Sequence, residues 1–204
     1  MPRSQRIYPD GVPQHVYNRG NRRARIFRDR ADYLGFLAAL TIAGERTMVR
    51  LLAFCIMPNH FHLLLWPEVG SEISAYMQLV MNIHIRDLQE RHQTRGTGHV
   101  YQGRHKNVPI FTEHHFLVAA RYVESNALAA ALVERAQDWE WCSLNQANGC
   151  AALVSPWPLS RPSNWVDLVN QITSDKSWKE IRKYARTAYK VGARSMNNSA
   201  DGIR

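Results

Sequence analysis

Apolar residues in this chain come either in short alternating or continuous runs or in longer stretches of helical period, and the two kinds follow one another in a definite order. The first run, PQHVYNRG around His15 to Asn18, is short and β-tolerant and predicts a strand. The next stretch, NRRARIFRDR, is too charged for a core and predicts a basic loop. From Asp32, the residues Tyr33, Phe36, Leu37 and Leu40 recur at helical spacing, with Asp29 or Asp32 as a cap and Gly44 as a stop. The runs VRLLAFCIM and HFHLLLW are too brief for helices, flank the turn signal Pro58-Asn59, and predict a hairpin of buried central strands. Ile73, Tyr76, Met77, Val80 and Ile83 then describe a second helix reaching to the region of Arg91.

A Gly-containing loop leads to GRHKNVPIF, a strand with basic residues on its exposed side, and Thr112 can cap a third helix starting at Glu113. The order β-α-β-β-α-β followed by a helix predicts an α+β fold, the ferredoxin-like split β-α-β sandwich. It has a mostly antiparallel sheet with helices on one face and leaves the other face to carry a site. Beyond residue 150 comes the Pro/Ser-rich SPWPLSRPS, then helical patterns in WVDLVNQI and from Ser177, where SWKE is a capping-box signature. The expected organisation is a domain over residues 1–150 and, over 151–204, a linker, an accessory helical arm and a mobile tail.

Length and composition fit this picture: 204 residues suffice for one domain with an appendage, and 45% hydrophobic with 21% charged residues excludes a disordered chain. Charge adds something new. The 26 Lys+Arg outnumber 17 Asp+Glu for a net +9, and 21 of the 26 are Arg, which favours planar, bidentate contacts to phosphate. A polyanionic partner follows naturally, although net charge alone equally describes a basic, solvated surface. Cys55, Cys142 and Cys150 form no C-x-x-C pair, so neither a disulfide framework nor a thiolate zinc site is suggested and a reducing cytoplasm fits. The start MPRSQRIYPDG lacks the apolar stretch of a signal peptide, and no apolar run approaches the ~18–20 residues needed to cross a bilayer. A soluble, cytoplasmic protein is expected.

His60 and His62 stand two apart in a predicted strand, so both imidazoles point to one face and can share a metal ion. With nine histidines in the chain, an ordinary hydrogen-bonded pair at a sheet edge is the competing explanation. Placing the third helix at about 100° per residue gathers Phe116, Leu117, Ala120, Val123, Ala127, Leu128 and Ala131 into an apolar stripe. His115, Tyr122 and Asn126 fall within about 40° of one another on the opposite side. A tyrosine there is a surface aromatic, a partner contact or a reactive group. Glu124 intrudes into the stripe without explanation from sequence. Two imidazoles and a Tyr/Asn pair are suitable parts for phosphodiester transesterification, in which a metal polarises the phosphate and a phenolate attacks. Tyrosine has an ordinary pKa near ~10 and needs nearby positive charge to act at neutral pH.

The motif MPNHFHLLL, followed by YQGRHKN and RYVESNALAAALVERAQDWEWCSL, closely resembles the HUH single-tyrosine transposases of insertion sequences, most of all the REP-associated tyrosine transposases. The resemblance runs from HVYNRGN to Ser143. It implies a ferredoxin-like catalytic domain that cleaves and rejoins single-stranded or hairpin-forming DNA through a covalent 5′-phosphotyrosine intermediate with a free 3′-hydroxyl. His60 and His62 match the metal-binding histidines, Tyr122 the nucleophile, and Asn126 a polar ligand that completes the site. The implied metal is Mg2+ or Mn2+, although imidazole ligands alone would suggest zinc or another transition metal. A homodimer is also implied. Two departures stand out: the frequent Asn-Pro step is Asn126-Ala127 here, leaving the helix free to continue, and the Arg/Gly/Pro-rich C-terminal pattern is absent. Arg19, Arg22, Arg23, Arg25, Arg28 and Arg30 after the first strand, with Arg104, His105 and Lys106 beside the fourth, are the expected DNA contacts. The alternatives are a noncatalytic nucleic-acid-binding regulator on the same scaffold and a metal-dependent phosphodiesterase in which Tyr122 is incidental.

Overall fold

The structure, a computed structural model, describes residues 8–145, 150–171 and 183. Four strands, β1 (Gln14–Arg19), β2 (Val49–Met57), β3 (His60–Pro67) and β4 (Lys106–Pro109), form an antiparallel sheet in the order β2-β3-β1-β4. Helix α1 (Arg30–Glu45) connects β1 to β2, and α2 (Glu72–Arg91) connects β3 to β4. This is the expected ferredoxin-like arrangement, with β1 and β3 at the centre.

Helix α1 begins where its local chemistry dictates. The Asp29 side chain accepts from the Asp32 backbone N–H at 3.0 Å, and Asp32 returns the bond to the Asp29 backbone, a reciprocal cap that satisfies otherwise orphaned donors. Phe36, Leu37 and Leu40 on α1 and Ile73, Met77 and Val80 on α2 pack with Phe54, Ile56, Phe61, Leu63 and Leu65 of the sheet. The basic stretch before α1 differs from its expected all-solvent placement. Ile26 and Phe27 are buried in this core, with Phe27 stacked on Tyr33 at 5.0 Å, so the loop that looked too charged for a core inserts its two apolar residues while its arginines face solvent.

The opposite sheet face is not left open. Helix α3 (Glu113–Glu124), capped by the Thr112 hydroxyl accepting from the His115 N–H at 3.1 Å, lies across it and buries Phe116, Ala120 and Val123 against Leu52, Cys55, Met57 and Leu64. Strand β2 serves both cores by alternation, and its register with β3 slips between Leu51 and Ala53. This bulge reverses the alternation, placing Leu51 and Phe54 on the α1/α2 face and Leu52 and Ala53 on the α3 face. Contrary to the expectation of a continuous helix, α3 stops at Ser125, whose hydroxyl donates to the Arg121 carbonyl at 2.6 Å, and a short α4 (Asn126–Ala129) follows.

The outer edge of β2 is covered. Ile56 N–H donates to Trp141, Ser143 N–H to Phe54 and Ser155 N–H to Leu51, while the Trp157 indole donates to the Leu52 carbonyl at 2.9 Å. Ser155 and Trp157, from the stretch that reads as a linker in sequence, therefore lie against the sheet edge. Helix α5 (Trp165–Asn170), from the WVDLVNQI pattern, buries Trp165 and Val169 in the α3-side core. The capping-box signature at Ser177 and the C-terminal tail lie outside the described residues.

Glu124, anomalous in an apolar stripe, is fully buried and has a structural explanation. It accepts from the Ser143 hydroxyl at 2.8 Å and the Trp165 indole at 2.6 Å, with Arg161 3.7 Å away. Burial pushes its carboxyl pKa up. The residue ties the end of α3 to the covering segment.

Candidate active site

The alternation of β1 and β3 decides which side chains share the α3 face. Tyr17 stands opposite His62 and Arg19 opposite His60, so His15, Tyr17, His60 and His62 project to one side. The ring centroids of His60 and His62 are 5.1 Å apart and perpendicular, which satisfies the convergence expected of an H-x-H pair. Tyr122 meets His62 from α3, its ring 5.1 Å from His62 and 5.5 Å from His15, edge-on to both.

Tyr122 is only 7% exposed, yet its ring reaches the wall of a cleft of about 370 Å³ that His15, Tyr17, His60, His62, Arg19, Arg104 and Lys106 also line. A phenol at the edge of such a cleft is largely screened from water. Arg19 contributes a buried Nε that meets no acceptor among the described residues, a donor suited to a phosphate oxygen.

His15 was not singled out from the sequence, although it is central here. Its Nε2 lies 2.9 Å from His62 Nδ1, with the two rings stacked at 5.0 Å. The signal was present: in HVY, a period of two puts His15 on the same face as Tyr17, and pairing of the first and third strands carries both to His62. Burial, reinforced by nearby His115, pushes the His15 pKa down to about 3, and burial with His114 nearby brings His115 to about 4. Both rings are therefore uncharged at neutral pH.

Other expected residues are distributed differently. Asn126 is buried, its Nδ2 donating to the Tyr122 carbonyl at 2.7 Å, and it is not among the residues lining the cleft. Arg22 and Arg25 line a separate groove with Arg28 and His92, while Arg23 is exposed and lends its carbonyl to Asn59. His105 is buried and bonded to the Tyr8 hydroxyl at 3.0 Å, facing a groove along α2 rather than the cleft. Arg104 and Lys106 are exposed at the cleft itself.

Two imidazoles on one face, His60 and His62, are a donor set that could hold a divalent cation. Among the described residues, three potential ligand atoms within 4.8 Å of one another occur at Asp29, Asp32 and His92, away from this cleft. Arg91 stands there, its Nη2 2.5 Å from Asp32 Oδ1, and Asp32 also accepts from the Arg28 N–H at 2.7 Å. That cluster has its charge matched by protein groups and fastens the start of α1 to the end of α2.

The family model described as "Transposase IS200 like" matches residues 11–126, more than half of the chain. The chain belongs to the IS200-like transposase family. The matched span of this transposase contains β1, the His60/His62 strand and α3 with Tyr122. Among solved structures, a REP-associated tyrosine transposase bound to a REP hairpin is similar to this transposase in fold. Its TM-score is 0.59 at 16% identity, covering 80% of this chain and 96% of its own. A Deinococcus radiodurans R1 protein provisionally described as a transposase matches with a TM-score of 0.43 at 20% identity, covering 60% of this chain and 95% of its own. No curated protein matches this transposase. Among its described residues, no helix is long and apolar enough to cross a membrane.

Proposed function

We propose that this transposase cuts and rejoins single-stranded or hairpin DNA, with Tyr122 as the nucleophile beside a divalent cation, Mg2+ or Mn2+, on His60 and His62. The observation that carries the reading is the meeting of Tyr122 from α3 with the two imidazoles of β3 at one cleft edged by Arg19, Arg104 and Lys106. The solved relative of similar fold is bound to a REP hairpin, which supports a folded single strand as the partner.

In the proposed reaction, Arg19, Arg104 and Lys106 hold the phosphates on either side of the scissile bond. His60 and His62 would hold the divalent cation, which would supply Lewis-acid stabilisation of the negative charge that develops at the scissile phosphate. Tyr122 Oη bonds to phosphorus as the bond to the 3′-oxygen breaks. The phenolic proton ends on the departing 3′-hydroxyl, and the DNA 5′-phosphate remains linked to the tyrosine. Attack by a 3′-hydroxyl reverses the step and joins strands without a nucleotide cofactor. Simple hydrolysis would have no use for a tyrosine placed here.

Two features refine the reading. Tyr122 lies against His62 of its own chain, which supports cleavage in cis; a homodimer would then serve to bring two ends together rather than to complete either site. Asn126 can add its Oδ1 to the cation only after turning away from the Tyr122 carbonyl, so its ligation would accompany a movement at the Ser125 break.

The test is an oligonucleotide assay with Mn2+. An SDS-resistant protein-DNA adduct that requires metal and disappears in Tyr122→Phe is expected. Cleavage surviving that substitution would replace the reading with a phosphodiesterase, and DNA binding with no cleavage would replace it with a regulator.

A further inference from the structure

An imidazole can offer only one of its two nitrogens to a given cation, and the partner of the other nitrogen decides which. For His60 that partner is Asn59. Asn59 Nδ2 donates to the Arg23 carbonyl at 3.2 Å, which turns Oδ1 toward the ring, 2.6 Å from His60 Nδ1. A carboxamide oxygen only accepts, so the hydrogen sits on Nδ1 and the lone pair on Nε2.

For His62 the neighbour at Nδ1 is a second imidazole, His15 Nε2, at 2.9 Å. The contact is built by the sheet: Tyr17 is opposite His62, and His15 lies two residues along β1 on the same face. Packing then fixes it, because His15 is buried between Tyr17, stacked at 5.2 Å, and Tyr122.

We propose that His15 is a positioning residue of the metal site: its Nε2 accepts the Nδ1 hydrogen of His62, fixes that ring, and makes His62 Nε2 the ligand atom, as Asn59 does for His60. The inference rests on the metal-and-tyrosine reading above. The opposite hydrogen-bond direction, with His15 donating, would place the His62 hydrogen on Nε2 and remove that atom from ligation. Proton direction is thus the physical content of the proposal.

The experiment measures Mn2+ binding to the full chain by calorimetry and, separately, the His62 tautomer by 15N imidazole NMR of the metal-free protein. His15→Phe keeps a ring in place but removes the acceptor, whereas His15→Gln can restore an acceptor oxygen near the position of Nε2. The expected result is Mn2+ affinity weakened roughly 10- to 100-fold in His15→Phe and within about threefold of the original in His15→Gln. The NMR spectrum should show the His62 hydrogen on Nδ1. Unchanged affinity in His15→Phe, with affinity lost in His62→Ala, would overturn the role of His15 and leave the metal site standing. A hydrogen on His62 Nε2 would overturn it even if His15→Phe failed to fold. Absence of Mn2+ binding in both the unaltered protein and His62→Ala would sink the metal reading and the inference with it.

Discussion

The indole N–H of Trp165 donates to Glu124 at 2.6 Å, across 41 positions of sequence, and joins α5 to the same turn of α3 that carries Tyr122. A fully buried carboxylate beside an apolar stripe is tolerated because Ser143, Trp165 and Arg161 meet it. Glu124→Ala leaves two buried donors without their acceptor and should destabilise the fold by on the order of 3 kcal/mol, read from denaturant unfolding. The sign of the pH effect follows from the raised carboxyl pKa. Stability contributed by the protonated form is fully present below the unfolded value of 4.5 and is lost as pH rises through the folded value. Glu124→Gln should therefore lose less stability than the unaltered protein as pH rises above 4.5; parallel curves would contradict this.

The two imidazoles of β3 are expected to serve chemistry more than docking. His60→Ala and His62→Ala should each slow strand cleavage on the order of 10³-fold, while DNA affinity, followed by fluorescence anisotropy, stays close to the original. Undiminished turnover in both variants would remove these residues from the mechanism.

The basic residues divide between two grooves, and the division predicts a separation of effects. Replacing Arg104 and Lys106 together should lower the salt dependence of single-strand binding by about 0.7 in log-log slope for each phosphate no longer neutralised, and should slow cleavage as well. Replacing Arg22 and Arg25, which line the other groove, should change the slope with little effect on cleavage at saturating DNA. Equal effects on cleavage from the two pairs would show that both grooves handle the scissile phosphate.

Away from the cleft, His84 is buried among Phe27, Phe36 and Tyr101, and neither ring nitrogen has a hydrogen-bond partner among the described residues. Burial brings its pKa down to about 3. Its contribution to stability is present above 6.5 and lost progressively as pH falls from there toward about 3, because the unfolded chain takes up the proton first. His84→Phe should raise stability by about 1–3 kcal/mol at neutral pH and shift the acid unfolding midpoint downward. An unchanged midpoint by circular dichroism would indicate that another group governs acid unfolding.

Much of the architecture was legible in the chain because it follows from local periodicity. The cap at Asp29, the hairpin across Pro58-Asn59 and the start of α3 after Thr112 each depend on a few consecutive residues, and each appears where expected. The same holds for the common direction of His60 and His62, which a strand imposes by itself. Helical periodicity was weaker at Asn126, where side-chain bonds from Ser125 and Asn126 to the preceding carbonyls compete with helix continuation. Phe27 was missed because a window dominated by arginine conceals a single inward-facing ring.

The sequence by itself determined a basic chain, a split β-α-β order and an H-x-H pair on one sheet face, whereas Tyr122, expected off the apolar stripe of its helix, is buried with that stripe against the sheet. Only the tertiary structure decided that α3 covers that face, that His15 reaches His62, and that Glu124 finds its donors in distant segments. Strand and helix periods operate over neighbouring residues and can be read along the chain. Which strand lies beside which, and what packs on the sheet, depends on burying apolar surface between segments far apart in sequence, and that information resides in no single window.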